Sequence, residues 1–352
     1  MMKLQELFVV LFLLIIYSCA QIVSPSGGEK DIFKPKLLNT SLEKANNELR
    51  IQFNFDERIQ FNDWKTNFYI SPPINNIIEK KIKNKSLLIS FSDSLINNKA
   101  YNICLNNTIK DITEGNIIDS LNYLLNVNDL NDTIKFSGKV LEAKSLIPLE
   151  NIFVVLHETS ILDSQLFKKT PEFVAKTNLD GYFVFPNLPS KKKYKVYAFN
   201  KTKYFYDKTN IAFYDKSIET GIDTFTELFS FNSSDTTYYE YDSTHSVLND
   251  SVLSTVNGKI IINSSFLTPC ILQLFENEII IHEEYFDKYP LIVKNVSPGS
   301  YQLKYIQDED MNKKWTNGNL QKRRQPERVF IYKDKLLIRE NWDLEIDWNS
   351  KN

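Results

Sequence analysis

Leu49-Arg50-Ile51-Gln52-Phe53-Asn54-Phe55 alternates apolar and polar side chains without a break. An extended chain points successive side chains to opposite sides, so Leu49, Ile51, Phe53 and Phe55 share one face, as a half-buried strand requires. Outward from it, Asn67 to Ile70, Ser86 to Phe91, Ala100 to Leu105 and Asn122 to Val127 are further short apolar stretches. Turn-forming residues separate them: Ser71-Pro72-Pro73, Asn84-Lys85, Asn97-Asn98 and Glu114-Gly115-Asn116. Strands at this spacing, with no helical periodicity between them, predict a β-sandwich over 34–130. Only Asp111 to Leu121 has room for a helical turn.

A second unit opens at Phe136-Ser137-Gly138-Lys139-Val140, runs through Pro148 to Leu156, and reaches Thr177 to Phe185. There Asp180-Gly181 supplies a tight turn between strands. Asn187-Leu188-Pro189 leads into Tyr194-Lys195-Val196-Tyr197-Ala198-Phe199. A third unit repeats this order. Val256-Asn257-Gly258-Lys259-Ile260 echoes the opening, and Leu272-Gln273-Leu274-Phe275 stands for Val154-Val155-Leu156. Pro290 to Val293 and Asn295 to Leu303 restate a strand, an Asn-apolar turn and a Tyr-x-apolar strand. Self-similarity of this kind marks a repeated structural unit. The expected division is 134–230 and 253–348, with the Ser/Thr/Asp/Tyr-rich 231–252 as a linker or edge hairpin.

The amino-terminal end is of another kind. Leu7 to Tyr17 is unbroken apolar sequence and stops at Ile16-Tyr17-Ser18-Cys19. A transmembrane helix needs about 20 apolar residues, and this run has the length of a signal-peptide core. An aliphatic residue three before a cysteine, with a small residue just before it, has the form of a bacterial lipobox. That form implies a signal peptide over 1–18, acylation of Cys19, a tether over 19–33 and a soluble ectodomain beyond. A multiply acylated cysteine anchors stably, since acyl chains contribute about 0.8 kcal/mol per buried methylene. No acidic cluster stands in 20–24 as a surface-export tag.

Of the 352 residues 42% are hydrophobic and 13% aromatic, which is enough for real cores and argues against disorder. Abundant Phe, Tyr and Ile with only 9 Gly favour strands over helices. The net charge is −2 and no basic stripe is interleaved with aromatics, so nucleic acid is not an expected partner. Cys104 and Cys270 lie in apolar strands of different units and read as buried, inert thiols rather than a bridge.

The first unit resembles the bacterial Ig-like domains of the SbsA type, through Ile51 to Glu57, Ile70-Ser71-Pro72-Pro73 and Tyr101-Asn102-Ile103. The second resembles the transthyretin-like, carboxypeptidase-regulatory-type sandwich, through Gly138-Lys139-Val140, Pro148 to Ile152 and Asp180-Gly181-Tyr182-Phe183. It departs from that pattern with Ser190-Lys191-Lys192-Lys193, where a glycine turn is common. The whole is similar to Ig-like-domain lipoproteins of Bacteroidetes, in the glycine-rich segment up to Lys30-Asp31 after the lipobox and in the ending Asn341 to Trp348. The resemblance implies an all-β fold of tandem Ig-like and transthyretin-like sandwiches behind a cleaved lipoprotein signal peptide. It implies the outer membrane of the cell envelope as location and brings no reaction with it.

Few residues point to chemistry. His157 and His282 border apolar strands and His245 lies in the polar linker; none sits in a nucleophile or zinc motif, so a sheet-surface or edge role is expected. Asp56 and Glu57 are adjacent on a strand and would face opposite ways, which makes them a strand-end turn rather than an acid/base pair. Asp308, Asp310 and Asn312 alternate around a turn and form the one cation candidate, calcium. Calcium takes 6 to 8 oxygens, often with a later bidentate carboxylate, and the next twelve residues supply none. The competing reading is a solvated hairpin loop rimmed by Trp315. Lys191-Lys192-Lys193 and Lys322-Arg323-Arg324 read as solvated turns, or as contacts for anionic lipid heads or acidic glycans. Tyr238, Tyr239, Tyr241 and Trp315 form the candidate partner-contact patch.

The expected function is a non-enzymatic envelope protein, membrane-bound through its lipid, whose modules serve as spacer and interaction surface for an envelope protein or glycan. A carbohydrate- or peptidoglycan-binding accessory is the alternative, and it would cluster Trp315, Trp342, Trp348 or tyrosines on one sheet face. An enzyme would instead show a deep pocket between units gathering carboxylates or a histidine.

Overall fold

The computed structural model describes residues 29–45, 48–74, 77–92, 100–126, 134–201, 206–233, 257–266, 268–277 and 279–348. Cys19, Tyr238, Tyr239, Tyr241 and His245 lie outside them. Among the described residues no helix is long and apolar enough to cross a membrane.

The first unit holds β1 (Leu37–Ala45), β2 (Glu48–Phe55), β3 (Ile59–Phe61), a helical turn α1 (Trp64–Asn67), β4 (Tyr69–Ser71), β5 (Ile77–Lys83), β6 (Ser86–Ser92), β7 (Ala100–Cys104), β8 (Ile109–Asp111) and β9 (Asn122–Asn126). One sheet runs β1-β2-β6-β5 and another β4-β7-β9, with β3 and β8 paired beside them. The alternation at 49–55 does what the pattern requires. Leu49, Ile51, Phe53 and Phe55 are buried in one core with Leu87, Ile89, Ile103 and Leu125. The edge strands β1 and β5 carry no such signal, because Leu38, Leu42 and Glu79 to Lys81 face solvent.

The helical turn falls at Trp64–Asn67 rather than within 111–121. Trp64 is buried there and stacks on Phe68 with ring centroids 4.2 Å apart. At 111–121 the fully buried Asp111 carboxylate accepts the N–H groups of Glu114, Gly115 and Asn116 at 2.7–3.0 Å. One side chain thus organises a tight loop, with Gly115 at φ +83°, where a helix would need continuous α geometry.

The second unit holds β10 (Ile134–Glu142), β11 (Phe153–Glu158), β12 (Phe173–Lys176), β13 (Tyr182–Leu188), β14 (Lys193–Lys201), β15 (Tyr206–Glu219) and β16 (Phe225–Asn232), in the order β12-β11-β14-β15-β16-β10-β13. β10 and β16 run parallel. β12 and β13 are consecutive in sequence yet occupy opposite ends of this order, so the strand path folds over on itself around the core of Phe136, Val154, Leu156, Phe183 and Leu228. The turn between them is built by Asn178, whose side-chain oxygen accepts Asp180 and Tyr182 N–H groups at 3.1 and 2.8 Å. Gly181 sits at φ +75° with no room for a side chain, since a Cβ would lie 2.7 Å from the Val140 carbonyl.

The third unit holds β17 (Gly258–Ser264), β18 (Cys270–Glu276), β19 (Ile279–Phe286), β20 (Leu291–Val296), β21 (Gly299–Gln307), β22 (Val329–Ile331), β23 (Leu336–Ile338) and β24 (Asp343–Trp348). It repeats the strand order of the second, except that two short strands, β22 and β23, pair with β21 where the single long β15 pairs with β14. β17 lies between β20 and the parallel β24 as β10 lies between β13 and the parallel β16. β18 lies between β19 and β21 as β11 lies between β12 and β14. Gly138 and Gly258 are matched for one physical reason: a Cβ would meet the carbonyl of Thr226 at 2.3 Å or of Trp342 at 2.6 Å. Asn187 and Asn295 both adopt φ near +57° and both mark a register shift against the neighbouring strand. The Asn-apolar turn read from the sequence is therefore a β-bulge in each copy.

Candidate functional site

The segment between β21 and β22, residues 308–328, is where the two copies differ most, and it contains the cation candidate. Asp308 is fully buried, and its two oxygens accept the N–H groups of Asn312 and Lys313 at 3.1 and 2.9 Å. Glu327, also buried, accepts Glu309 N–H at 2.8 Å on one oxygen and Thr316 N–H at 2.7 Å on the other. Asp310 accepts the Thr316 hydroxyl at 2.8 Å. Asn312 donates its amide N–H to the Thr316 hydroxyl at 2.6 Å, while its amide oxygen accepts Lys314 N–H at 2.7 Å. The converging carboxylates are therefore Asp308, Asp310 and Glu327, with one oxygen of each within 4.8 Å of the others. Three such oxygens fall short of the 6 to 8 that calcium takes. What they do with their present partners is fold the loop. Glu327 lies beyond the window in which a closing ligand would be sought, and only the fold returns it to Asp308. Burial pushes its carboxyl up to about 7, against three backbone N–H groups that pull it down and the Asp310 charge that adds to the rise.

The loop so built is not a solvated hairpin. It lies across the second unit. The other face of β11, β14 and β15 presents Val155, Tyr197, Phe199, Ile211 and Phe213, and Trp315 and Leu320 of the third unit pack on that cluster. Trp315 also donates its indole N–H to the Glu327 carbonyl at 3.0 Å, so it is an internal anchor rather than an exposed partner contact. Gly318 is pressed against Phe231, where a Cβ would come within 2.5 Å of the ring. Arg323, expected in a solvated basic turn, instead donates to both oxygens of Asp163 at 2.8 and 3.0 Å and to the carbonyls of Tyr214 and Asp215 at 3.2 Å. Tyr197 donates its hydroxyl to the same Asp163 at 2.6 Å. The guanidinium lies 5.3 Å from the centroid of the Phe213 ring. Gln325 and Asn317 donate to the carbonyls of Phe213 and Asn232, each at 2.7 Å.

The seam between the first and second units is lighter and more polar. Val174 N–H donates to the Ser71 hydroxyl at 2.9 Å, and Lys176 donates to Thr66 O and Asn67 Oδ1 at 3.0 and 3.1 Å. Asn187 donates to Asn102 at 3.0 Å, and Tyr69 meets Phe153 edge to face. Between these contacts a cleft of about 310 Å³ remains. Its lining includes aromatic and aliphatic side chains of both units with Lys168 and Lys169, and among the described residues it contains no carboxylate and no histidine.

The remaining sequence candidates are dispersed. His157 is buried rather than at the sheet surface, beside Tyr197, with its Nε2 lacking a hydrogen-bond partner. Burial pushes its imidazole down to about 4. His282 lies on the edge strand β19, 3.3 Å from Glu284. Trp342 is half exposed, while Trp348 is buried in the third core against Phe266 and Tyr332. Cys104 and Cys270 are free, buried thiols, and burial raises Cys270 to about 12.

The fold and its seams define an all-β protein of tandem sandwiches. Its first unit is shown to be of the Ig-like class, since residues 33–126 match the bacterial Ig-like domain family. Among solved structures the chain is similar to the Bacillus anthracis TIE protein, at 12% identity over 99% of this chain and 62% of that one, with a TM-score of 0.19. It is similar also to BcpA, the major pilin subunit of Bacillus cereus, at 8% identity over 56% of this chain and 70% of that one, with a TM-score of 0.19. Native alpha-2-macroglobulin from Escherichia coli gives 10% identity over 78% of this chain and 94% of that one, with a TM-score of 0.23. TM-scores at this level define no common overall arrangement. No curated protein matches the chain.

Proposed function

We propose that the chain is a non-enzymatic, lipid-anchored protein of the cell envelope, held in the outer membrane through Cys19, whose Ig-like modules act as spacer and as interaction surfaces for a protein or glycan. The seam chemistry carries this reading. An arginine–carboxylate contact, a glycine pressed on a ring and an indole anchor fasten the third unit to the second, which is what a spacer needs to keep its surfaces in fixed relation. Cys19→Ala tests the anchor: the ectodomain should stay folded and leave the membrane fraction, or stall before signal cleavage. A processed variant retained normally on membranes would overturn it. Protease accessibility on intact and lysed cells then assigns the face, with digestion before lysis pointing to a surface partner and protection until lysis to a periplasmic one.

A glycan-binding accessory role has one specific observation in its favour, though not the tryptophans first considered. Tyr182, Val184 and Phe225 are about half exposed on the outward side of β13-β10-β16. Lys139, paired in register with both Tyr182 and Glu227, lies 5.1 Å from the Tyr182 ring centroid. Aromatic rings beside hydrogen-bonding groups on a flat sheet suit a sugar face. Retention on purified peptidoglycan that falls at least tenfold in Tyr182→Ala/Phe225→Ala would favour this role, and unchanged retention would remove it.

A further inference from the structure

The cleft between the first two units has features of a ligand site that neither the spacer nor the glycan reading uses. Its volume, about 310 Å³, lies at the lower end of the range of small-molecule pockets, and junctions between domains are a usual place for them. One wall comes from Tyr69 and Ile70 of the first unit; the other comes from Phe153, Val174 and Phe199 of the second. That second wall adjoins the same apolar sheet face that the third unit covers with Trp315 and Leu320. Polar contacts on the rim, Ser71 to Val174 and Lys176 to Asn67, fix the two walls relative to each other, so the space exists before anything enters it.

The charge around it has one sign. Lys168 and Lys169 line the cleft, both exposed, and follow the 3₁₀ turn at Asp163–Gln165. With no carboxylate in the lining, a cationic head would meet only repulsion there, and a cation would find no acidic ligand. A sugar would need several hydrogen-bonding side chains along the walls, and beyond the two lysines the described lining offers only the hydroxyls of Tyr69 and Thr170. An aliphatic chain ending in an anionic head satisfies both parts: the chain covers the apolar walls, and the head lies against two ammonium groups.

We propose that this cleft binds a free monocarboxylate with an aliphatic chain, its chain between Tyr69 and Val174 and its carboxylate on Lys168 and Lys169. The site is independent of how the protein is anchored and of any partner at the sheet faces.

The experiment is photoaffinity labelling of the full chain with a diazirine-bearing laurate, the adducts being mapped by mass spectrometry. Saturable adducts within 68–74 and 153–174 are expected, and unlabelled laurate should compete for them. Lys168→Glu/Lys169→Glu should reduce labelling at least tenfold, and Val174→Trp, which fills the cleft, should abolish it, both with unchanged melting temperature. A quaternary-ammonium analogue of the same chain length should leave these segments unlabelled. Adducts scattered elsewhere, or labelling that survives both variants while they remain folded, would overturn the proposal. Equal labelling by the cationic analogue would overturn the assignment of the head group. Labelling competed only by phospholipid vesicles, and not by free laurate, would overturn the free acid in favour of a membrane lipid.

Discussion

Arg323 and Asp163 concentrate the second seam into one contact. Their side chains keep only 30% and 21% of their exposure, so cutting either leaves a partly desolvated partner behind. Arg323→Ala is expected to cost about 2 kcal/mol in denaturant unfolding, and a cycle with Asp163→Ala should show most of that as coupling between the two. Gly318→Ala forces a methyl against the Phe231 ring and should cost about 1–3 kcal/mol, recovered in part by Phe231→Leu. Two buried groups give stability opposite pH dependences. Unfolded His157 takes a proton near 6.5 and the folded residue only near 4, so its contribution is whole above 6.5 and is lost as pH falls toward 4. Unfolded Glu327 ionises near 4.5 and the folded residue near 7, so its contribution is whole below 4.5 and is lost as pH rises through 7. Melting temperature measured from pH 4 to 8 should therefore be flatter on the acid limb in His157→Phe and on the neutral limb in Glu327→Gln.

Among the elements, what the sequence made legible is what a period or a fixed backbone geometry writes into it. Leu49 to Phe55 reads as a strand because one face is buried and the other is wet, and Gly138 and Gly258 recur because a neighbouring carbonyl leaves no space for a side chain. The edge strands β1 and β5 were silent because neither face imposes alternation. Glu327 was silent for another reason: its relation to Asp308 is made by the return of the chain and not by spacing. The repeated bulges offer an internal control. Asn187 and Asn295 share a left-handed conformation, which a β-branched residue adopts at a cost of about 1–2 kcal/mol. Asn187 alone also donates to Asn102 across the first seam. Asn187→Val should therefore destabilise more than Asn295→Val, and the excess should vanish in an Asn102→Ala background. Equal losses would mean that the Asn102 contact adds nothing. Lys191, at φ +55°, holds a left-handed conformation that glycine takes without strain.

At the scale of the molecule, the two seams differ in kind, and so should their response to stress. The seam between the second and third units buries aromatic rings and a guanidinium; the one between the first and second rests on a few polar contacts around an open cleft. Limited proteolysis in mild denaturant is expected to separate the first unit while the second and third survive together, and Arg323→Ala should remove that difference. The closure of the third sandwich has a consequence in time. Its sheet β20-β17-β24 is completed by the pairing of β17 with a strand that ends at Trp348. A chain made amino-terminus first, at about 5–20 residues per second, would leave the β24 edge of β17 without its partner for roughly 4–16 s while the intervening segment is synthesised. During that interval Ile260 and Ile262 can ladder only with β20, on one side, and a holding factor, or export in an unfolded state, has its clearest physical task in this protein.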